Sequence, residues 1–165
     1  MFTIQEATIE DIPCIRSMAM VVFPKTYKDI LSPEQIDYMM EWMYSEESLQ
    51  RQMTEENHIY YIALHDGVPA GYLSIQPEDQ DTWHLQKLYL LPNFQGMHIG
   101  KALFAHAVAV IKELHPTPCR LRLNVNRHNR AQDFYLKMGM AQVDEGNFPI
   151  GNGYYMNDYI MDMEI

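Results

Sequence analysis

The sequence lacks any stretch of 18 residues without a charged side chain, the length from which a helix can cross a bilayer. Cysteine is also scarce. Cys14 and Cys119 are the only two, and such a distant pair in a cytosolic chain is more typical of small buried residues than of a disulfide or a metal site. Residues 1–11 lack the basic flank and apolar core of a secretory signal. These absences predict a cytoplasmic protein without a membrane span.

Basic residues are few: the chain has 12 Lys and Arg against 22 Asp and Glu, which gives a net charge of −10. Affinity for a phosphate backbone depends on clustered basic side chains, so this composition argues against a nucleic-acid-binding protein. The charge is uneven, however, because eight basic and only two acidic residues lie between Trp83 and Lys137. The basic middle suits an anionic ligand, and the acidic flanks suit a cationic one.

The length of 165 residues is enough for one hydrophobic core and predicts a single domain over residues 1–165. No internal repeat or low-complexity tract is present. Apolar periodicity predicts, in order, a strand, helices, three strands, a helix, a strand, a helix and two strands. This order indicates an α/β fold with a mixed sheet and helices on its faces.

Local signals predict the ends of several early elements. A first helix, with apolar residues at helical spacing, is expected to stop at Pro24. Ser32 is expected to cap a second helix, with the side chain of Gln35 reaching back to the cap. Two strand-like stretches, Ile59–His65 and residues 70–75, flank turn residues that include Asp66 and Gly67, and so predict a hairpin.

Later elements carry equally local signals. The apolar spacing over Ile99–Leu114 predicts a strongly amphipathic helix. Residues 120–125 alternate as a strand, and residues 129–138 are expected to form a helix closed by Gly139. Residues 146–153 contain Gly, Pro and Asn and are predicted to be a loop before a last strand over residues 154–163.

Residues 88–101 place a glycine-containing turn between a strand and a long helix. The first amide groups of a helix have no partner within the helix, and the positive end of the helix dipole lies there, so such a turn can hold phosphate. Gly96 and Gly100 remove side chains that would keep a diphosphate from the backbone, and Lys101 adds positive charge.

Three known kinds of phosphate-binding turn place glycine between a strand and a helix. A P-loop requires four residues between its glycines and then Lys-Ser/Thr, but only three residues lie between Gly96 and Gly100, and Lys101 precedes Ala102. The Gly-x-Gly-x-x-Gly fingerprint of dinucleotide-binding folds is absent. The third pattern fits, because Gln95-x-x-His98-x-Gly100 resembles the turn that binds the diphosphate of CoA in the GNAT superfamily of N-acetyltransferases. His98 stands where that family usually has glycine.

A second stretch carries the same resemblance. Residues 129–140, Asn-Arg-Ala-Gln-Asp-Phe-Tyr-Leu-Lys-Met-Gly-Met, look like the family's Asn-x-x-Ala-x-x-Phe/Tyr-Tyr-x-x-x-Gly-Phe helix. The resemblance implies a GNAT fold, with a central, mixed but mostly antiparallel sheet of about seven strands and helices on both faces. The acidic composition and residues 151–159 look most similar to bacterial polyamine or small-amine acetyltransferases.

The resemblance implies acetyl-CoA as co-substrate and no metal. It assigns a cofactor-binding role to the backbone of the strand before the turn, to the turn and to one later asparagine: Leu88, Tyr89, Leu90, Gln95, Gly96, Met97, His98, Ile99, Gly100, Lys101 and Asn129. Two readings stay open at His98, a tolerated side chain that weakens binding and an imidazole that contacts phosphate when protonated. Asn129 is also a candidate helix cap.

The reaction implied is attack of an amine on a thioester, which needs a proton acceptor for the amine and a donor for the departing thiolate. Tyr135 resembles the family's general acid, against the alternative of an aromatic residue at the edge of the core. His84, expected on one face with Gln86 and Leu88, is a candidate base that acts directly or through water. A partly exposed hairpin histidine is the alternative.

An acceptor pocket is suggested by aromatic and acidic residues together. Tyr38, Glu41 and Trp42 lie close in sequence on one predicted helix and suit a cationic amine, although ordinary surface solvation explains any one of them equally well. Tyr154 is expected either to line the substrate tunnel or to face the core.

The sequence therefore predicts an N-acetyltransferase that moves an acetyl group from acetyl-CoA to a small primary amine, with a polyamine as one candidate. Two alternatives stay open. One is acetylation of a protein N-terminus or lysine, and the other is a non-catalytic acyl-CoA sensor, which His98 favours. The sequence also leaves a homodimer open.

Overall fold

The computed structural model describes residues 1–165 and contains seven strands and five helices. The strands are β1 (Phe2–Glu6), β2 (Ile59–His65), β3 (Val68–Asp79), β4 (Thr82–Leu90), β5 (Arg120–Asn126), β6 (Ala141–Gly151) and β7 (Tyr154–Glu164). The helices are α1 (Ile12–Tyr27), α2 (Pro33–Tyr44), α3 (Glu46–Thr54), α4 (Ile99–Leu114) and α5 (Ala131–Lys137). Short 3-10 turns lie at Ile9–Asp11 and Pro92–Phe94.

The strands form one sheet in the order β1-β2-β3-β4-β5-β7-β6. Every neighbouring pair is antiparallel except β4 and β5, which are parallel. A parallel pair needs a crossover connection, and α4 supplies it between these two strands. The predicted mixed, mostly antiparallel α/β fold is therefore confirmed.

Two apolar clusters cover the two faces of the sheet. The first includes Leu103, Ala107 and Ile111 of α4, all at 0 % exposure and spaced four residues apart as the periodicity predicts. The second is built from α1, α2 and α3 against the other face and includes Phe23 and Leu49. Burial of these stripes holds the helices on the sheet more than their intrinsic propensity does. No helix of the structure is both long and apolar enough to cross a membrane.

The predicted hairpin between β2 and β3 is confirmed, and its turn consists of two residues. Asp66 and Gly67 have φ angles of 49° and 81°. A two-residue turn with both φ angles positive matches the right-handed twist of the paired strands, which explains the Asp-Gly sequence.

The prediction that Pro24 ends the first helix is wrong, because α1 continues to Tyr27. Proline removes only one intrahelical hydrogen bond, and the carbonyl that would have accepted it belongs to Met20, whose side chain is 65 % exposed. The helix turn beyond the proline is held by Phe23 and Tyr27, which are 1 % and 5 % exposed. Packing therefore outweighs the local stop signal.

The prediction of a loop over residues 146–153 is also wrong. Most of this segment belongs to β6, which pairs with β7 from Ala141↔Asp162 to Gly151↔Tyr154. Strand β6 is at the edge of the sheet, where a proline such as Pro149 is tolerated because one side of the strand needs no partner. Only Asn152 and Gly153 form the turn.

The start of α2 is partly as predicted. The Ser32 hydroxyl accepts a hydrogen bond from the Gln35 amide nitrogen at 3.1 Å and caps the helix. The Gln35 side chain does not reach back to the cap. Its Nε2 donates to the carbonyl oxygen of Tyr155 at 2.8 Å and so ties α2 to β7.

Candidate active site

The parallel strands β4 and β5 are joined only at one end. Their register covers Thr82–His84 against Arg120–Arg122, and beyond it the two strands separate. The rest of β4, including Leu88, Tyr89 and Leu90, stays paired with β3 on its other side. This half of β4 therefore presents an open strand edge inside the sheet, whose backbone groups can bind an extended ligand.

A bulge redirects the side chains of β4 before this edge. The β3–β4 register shifts so that Leu85 pairs with Ile75 while Lys87 pairs with Ser74, leaving Gln86 without a partner. Leu88 then packs in the α4-side cluster and Tyr89 in the cluster below α1 and α2. His84 and Leu88 therefore do not share a face, and that part of the sequence prediction is wrong.

The turn after β4 is shaped by two left-handed residues. Gly96 has φ 81°, and His98, the residue just before α4, has φ 64°. Glycine adopts such angles freely, whereas another residue incurs a steric cost. Position 98 therefore suits glycine, and His98 adopts this left-handed conformation at a steric cost.

The start of α4 leaves a row of free amide groups. The first backbone bond of the helix runs from the Ala102 nitrogen to the His98 carbonyl at 3.2 Å. The five preceding nitrogens, of residues 97–101, donate to no backbone or side-chain acceptor. His98 provides no side-chain cap, and both His98 and Lys101 are exposed. Free N–H groups at a helix start attract an anion.

Packing around Gly100 does not demand glycine, because an added Cβ atom would make only ordinary van der Waals contacts. A Cβ atom there would lie 3.5 Å from the Leu90 side chain and 3.7 Å from the Phe134 ring. The residue therefore sits where α4 packs closely between β4 and α5. Around Gly96, by contrast, nothing lies within 4 Å of a Cβ position, so the space beside this residue is open.

Tyr135 lies on α5 beside the open edge. It is 7 % exposed, and its ring centroid is 5.3 Å from that of Phe134 and 6.4 Å from that of Phe104. Burial raises the pKa of the Tyr135 phenol, with a further contribution from Tyr27. The phenol is therefore held protonated at neutral pH and is able to donate a proton.

Asn129 occupies the loop between β5 and α5. Its Oδ1 accepts from the Ala131 nitrogen at 2.9 Å, which satisfies a free amide of the first turn of α5. Its Nδ2 donates to the hydroxyl of Tyr27 at 3.4 Å. The capping role is therefore present in the structure, and the side chain also faces the end of α1.

His84 lies at the closed end of the gap between β4 and β5. Its Nδ1 is 3.7 Å from Glu78, and it pairs with Arg122 across the parallel register. Burial lowers the pKa of His84, partly opposed by Glu78. Tyr89 lies five positions further along the strand than His84, roughly 16 Å. His84 is therefore distant from the open edge at residues 88–90.

Three of the four candidate acceptor residues come together. The Tyr38 ring centroid is 6.2 Å from that of Trp42 and 5.3 Å from that of Tyr154, so α2 and β7 build one aromatic group. Glu41 instead lines a cavity of about 210 Å³ with Arg16, a cavity that Tyr38 and Trp42 do not line.

Two residues near the open edge were not singled out from the sequence. Tyr27 lies beyond Pro24, where the helix was expected to have ended. Burial raises the pKa of Tyr27, the neighbouring Tyr89 phenol and Asn129 amide partly offset this, and the charge of Asp158 adds to it. Asp158 is 6 % exposed on β7. A charged residue at a buried position of an alternating strand is the signal that marks Asp158.

A buried lysine lies on the α1–α3 side of β4. Lys87 donates from Nζ to Gln52 Oε1 at 3.0 Å and to the Tyr60 hydroxyl, and its Nζ is 4.4 Å from the centre of the Tyr44 ring. Burial lowers the pKa of Lys87 to about 7. The lysine is therefore partly neutral near physiological pH.

An open strand edge, a row of free amides at a helix start and a buried phenol beside them form a candidate site for an extended anionic ligand. Comparison with known proteins agrees. The model of the acetyltransferase (GNAT) family matches residues 23–140. The chain belongs to this family and is an acetyltransferase.

Individual relatives span nearly the whole chain. An uncharacterized N-acetyltransferase of Mycobacterium tuberculosis is 31% identical over 153 residues, covering 92% of this chain and 96% of the relative. Spermidine N(1)-acetyltransferase of Thermoplasma acidophilum is 27% identical over 146 residues, covering 86% and 89%. The crystal structure of PaiA N-acetyltransferase from Thermoplasma acidophilum in complex with coenzyme A matches with a TM-score of 0.83 at 26% identity, covering 100% of this chain and 99% of that one.

Proposed function

We propose that the protein transfers the acetyl group of acetyl-CoA to a primary amine of a small molecule, with polyamines as the leading class, by direct attack of the amine. The observation that carries this proposal is the row of five acceptor-free amides at residues 97–101 beside the open edge of β4. The solved relative that contains coenzyme A supports acetyl-CoA as the co-substrate.

The residues fit the parts of this co-substrate. The amides of residues 97–101 hold the diphosphate, with Lys101 adding positive charge and Gly96 leaving space. The backbone of Leu88, Tyr89 and Leu90 binds the pantetheine arm as an added strand does, which directs the acetyl end into the gap between β4 and β5.

Acetyl-CoA supplies an activated thioester, and the protein supplies the proton donor. Tyr135 gives its phenolic proton to the departing sulfur, because burial among Phe104 and Phe134 keeps the phenol protonated. Asn129 is the second polar group at this end, and its position between α5 and Tyr27 suits a contact with the pantetheine amide.

Support for a small amine comes from three sources. The chain is strongly acidic, at −10, which favours the approach of a cation. The aromatic group of Tyr38, Trp42 and Tyr154 offers ring faces to an ammonium group. A relative of 27% identity is named for spermidine. A cytoplasmic location, independence of metal, absence of nucleic-acid or membrane binding and a homodimer stay predictions.

The test has two parts, and the first measures binding of coenzyme A by calorimetry. We expect wild-type protein to bind. Lys101→Glu should weaken binding by about tenfold or more, because the reversed charge repels the diphosphate. Lys112→Glu, the matched control, makes the same change in the last turn of α4 and should leave binding unchanged. No binding by the wild type at millimolar coenzyme A would contradict the proposal.

The second part identifies the acceptor. Labelled acetyl-CoA is offered with polyamines, with monoamines and with peptides that carry a free N-terminus or a lysine. Label transferred to the small amines supports the proposal. Label found only on peptides would replace it with a protein acetyltransferase, and binding without any turnover would replace it with an acyl-CoA sensor.

A further inference from the structure

Two carboxylates are buried in this protein, and both lie on β7. Asp162 is 4 % exposed and is neutralised by Arg120 at 3.0 Å and Arg122 at 3.3 Å. Asp158 is 6 % exposed and has no cationic partner. Its only side-chain hydrogen bond is one that Asn124 donates to Oδ2 at 3.4 Å, and Oδ1 is buried without any hydrogen-bond partner.

Burying a carboxylate without a partner destabilises the folded protein, so the presence of Asp158 at this position needs an explanation. Desolvation raises the pKa of Asp158, which shows that the fold works against its charged form. The cost is relieved when a ligand brings a positive charge or a hydrogen-bond donor to Oδ1.

The position of Asp158 points to the reaction centre. It stands opposite Asn126 on β5, about 4.8 Å away, at the level where β4 has already left β5, so β5 is the only strand between Asp158 and the gap. The phenol of Tyr27 is an electrostatic neighbour of both Asp158 and Tyr135. The unpaired carboxylate and the candidate acid therefore both lie near Tyr27.

We propose that Asp158 binds the ammonium group of the acceptor and takes the first proton from it, an inference that rests on the proposed function. The other candidates are less suited. His84 is at the closed end of the gap, Asp162 is already paired, and Glu145 lies on the edge strand in a 3.1 Å ion pair with Arg127.

The proton balance of the step is complete. The ammonium gives one proton to Asp158, and the neutral nitrogen attacks the thioester carbon. The carbon–sulfur bond breaks with its electron pair on sulfur, which takes the phenolic proton of Tyr135. The second proton lost by the nitrogen restores the phenol, and Asp158 releases its proton to water. The products are one amide, one thiol and one proton.

Asp158→Asn tests the inference, because it removes the charge and keeps the shape. We expect kcat/KM for the amine to fall about 100-fold or more, and binding of coenzyme A to stay within twofold of the wild type. The melting temperature should stay equal or rise, since a buried unpaired charge has been removed. The control is Asp144→Asn, an exposed carboxylate on β6 whose loss should leave all three measurements unchanged.

The outcomes separate the two proposals. If the wild type acetylates amines and Asp158→Asn does so within threefold of it, the role of Asp158 is overturned and the proposed function stands. If the wild type neither binds coenzyme A nor acetylates any amine, both are overturned. Loss of turnover accompanied by loss of coenzyme A binding or by a lower melting temperature would make Asp158 a structural residue, contrary to the inference.

Discussion

The side-chain amide of Asn129 donates to the phenol oxygen of Tyr27 across 3.4 Å, which joins the loop before α5 to the last residue of α1. The same side chain caps α5 through its oxygen, at 2.9 Å from the Ala131 nitrogen. One asparagine therefore orients two elements that flank the open edge of β4. Its proposed contact with the pantetheine arm is a third role, besides the bond to Tyr27 and the cap on α5. Substitutions at position 129 can separate capping from ligand binding.

Two variants of Asn129 distinguish capping from ligand binding. Asn129→Ala should lower the free energy of unfolding by about 1 kcal/mol, because the first turn of α5 loses its acceptor. Asn129→Ser keeps a capping oxygen, so it should recover this stability while coenzyme A binding stays weakened. Urea unfolding and calorimetry measure the two effects. Equal coenzyme A affinity in wild type and both variants would limit Asn129 to its structural role.

Tyr135→Phe should reduce kcat by about 100-fold or more, because the departing sulfur loses its proton donor. Coenzyme A affinity should be unchanged, since the aromatic ring keeps its packing against Phe104 and Phe134. Tyr155→Phe, an exposed tyrosine on β7, is the control. A Tyr135→Phe enzyme with the wild-type kcat would remove this phenol from the mechanism.

His98→Gly should raise the free energy of unfolding by about 1 kcal/mol or less, because glycine takes a φ of 64° without a steric cost. Asn57→Gly, at φ 60°, should give a smaller change, since asparagine tolerates this region. The His98→Gly variant also decides between the two roles considered for His98, a tolerated side chain that weakens binding and a contact to phosphate. Stronger coenzyme A binding identifies a tolerated obstruction, and weaker binding identifies a phosphate contact.

Lys87 should make stability depend on pH. Its pKa is about 7 in the folded protein against 10.5 in the unfolded chain. Between these values the unfolded chain holds the extra proton, so stability rises with pH from about 7 to about 10. Lys87→Met should lack this rise and be the more stable protein near pH 7. Lys25→Met, at an exposed position, is the control. Parallel pH profiles for wild type and Lys87→Met would contradict the expectation.

Elements with strong local signals were predictable to the residue. The bounds of α4, Ile99–Leu114, follow from an apolar stripe of helical period that ends before Pro116. The turn at Asp66 and Gly67 follows from the two positive φ angles that this sequence permits. In both cases the decisive interactions are between residues close in sequence.

The errors arose where distant partners outweighed a local signal. Pro24 should end a helix, yet Phe23 and Tyr27 bury their rings in the core and hold the next turn in place. Residues 146–151 should form a loop, yet β7 offers them a full set of strand partners. A bulge at Gln86 turned the side chains of β4, which no local pattern indicated.

The candidate site also has one part that local sequence predicts and another that depends on distant partners. The sequence by itself determined the glycine-containing turn at Gly96 and the helix that carries Tyr135, because both depend on backbone conformations and motifs of neighbouring residues. Only the tertiary structure decided which polar groups meet at the gap between β4 and β5. Tyr27 reaches the loop before α5 because α1 packs on the sheet, and Asp158 lies beside β5 because β7 pairs with that strand. Burial of a carboxylate without a partner is a property of this assembly.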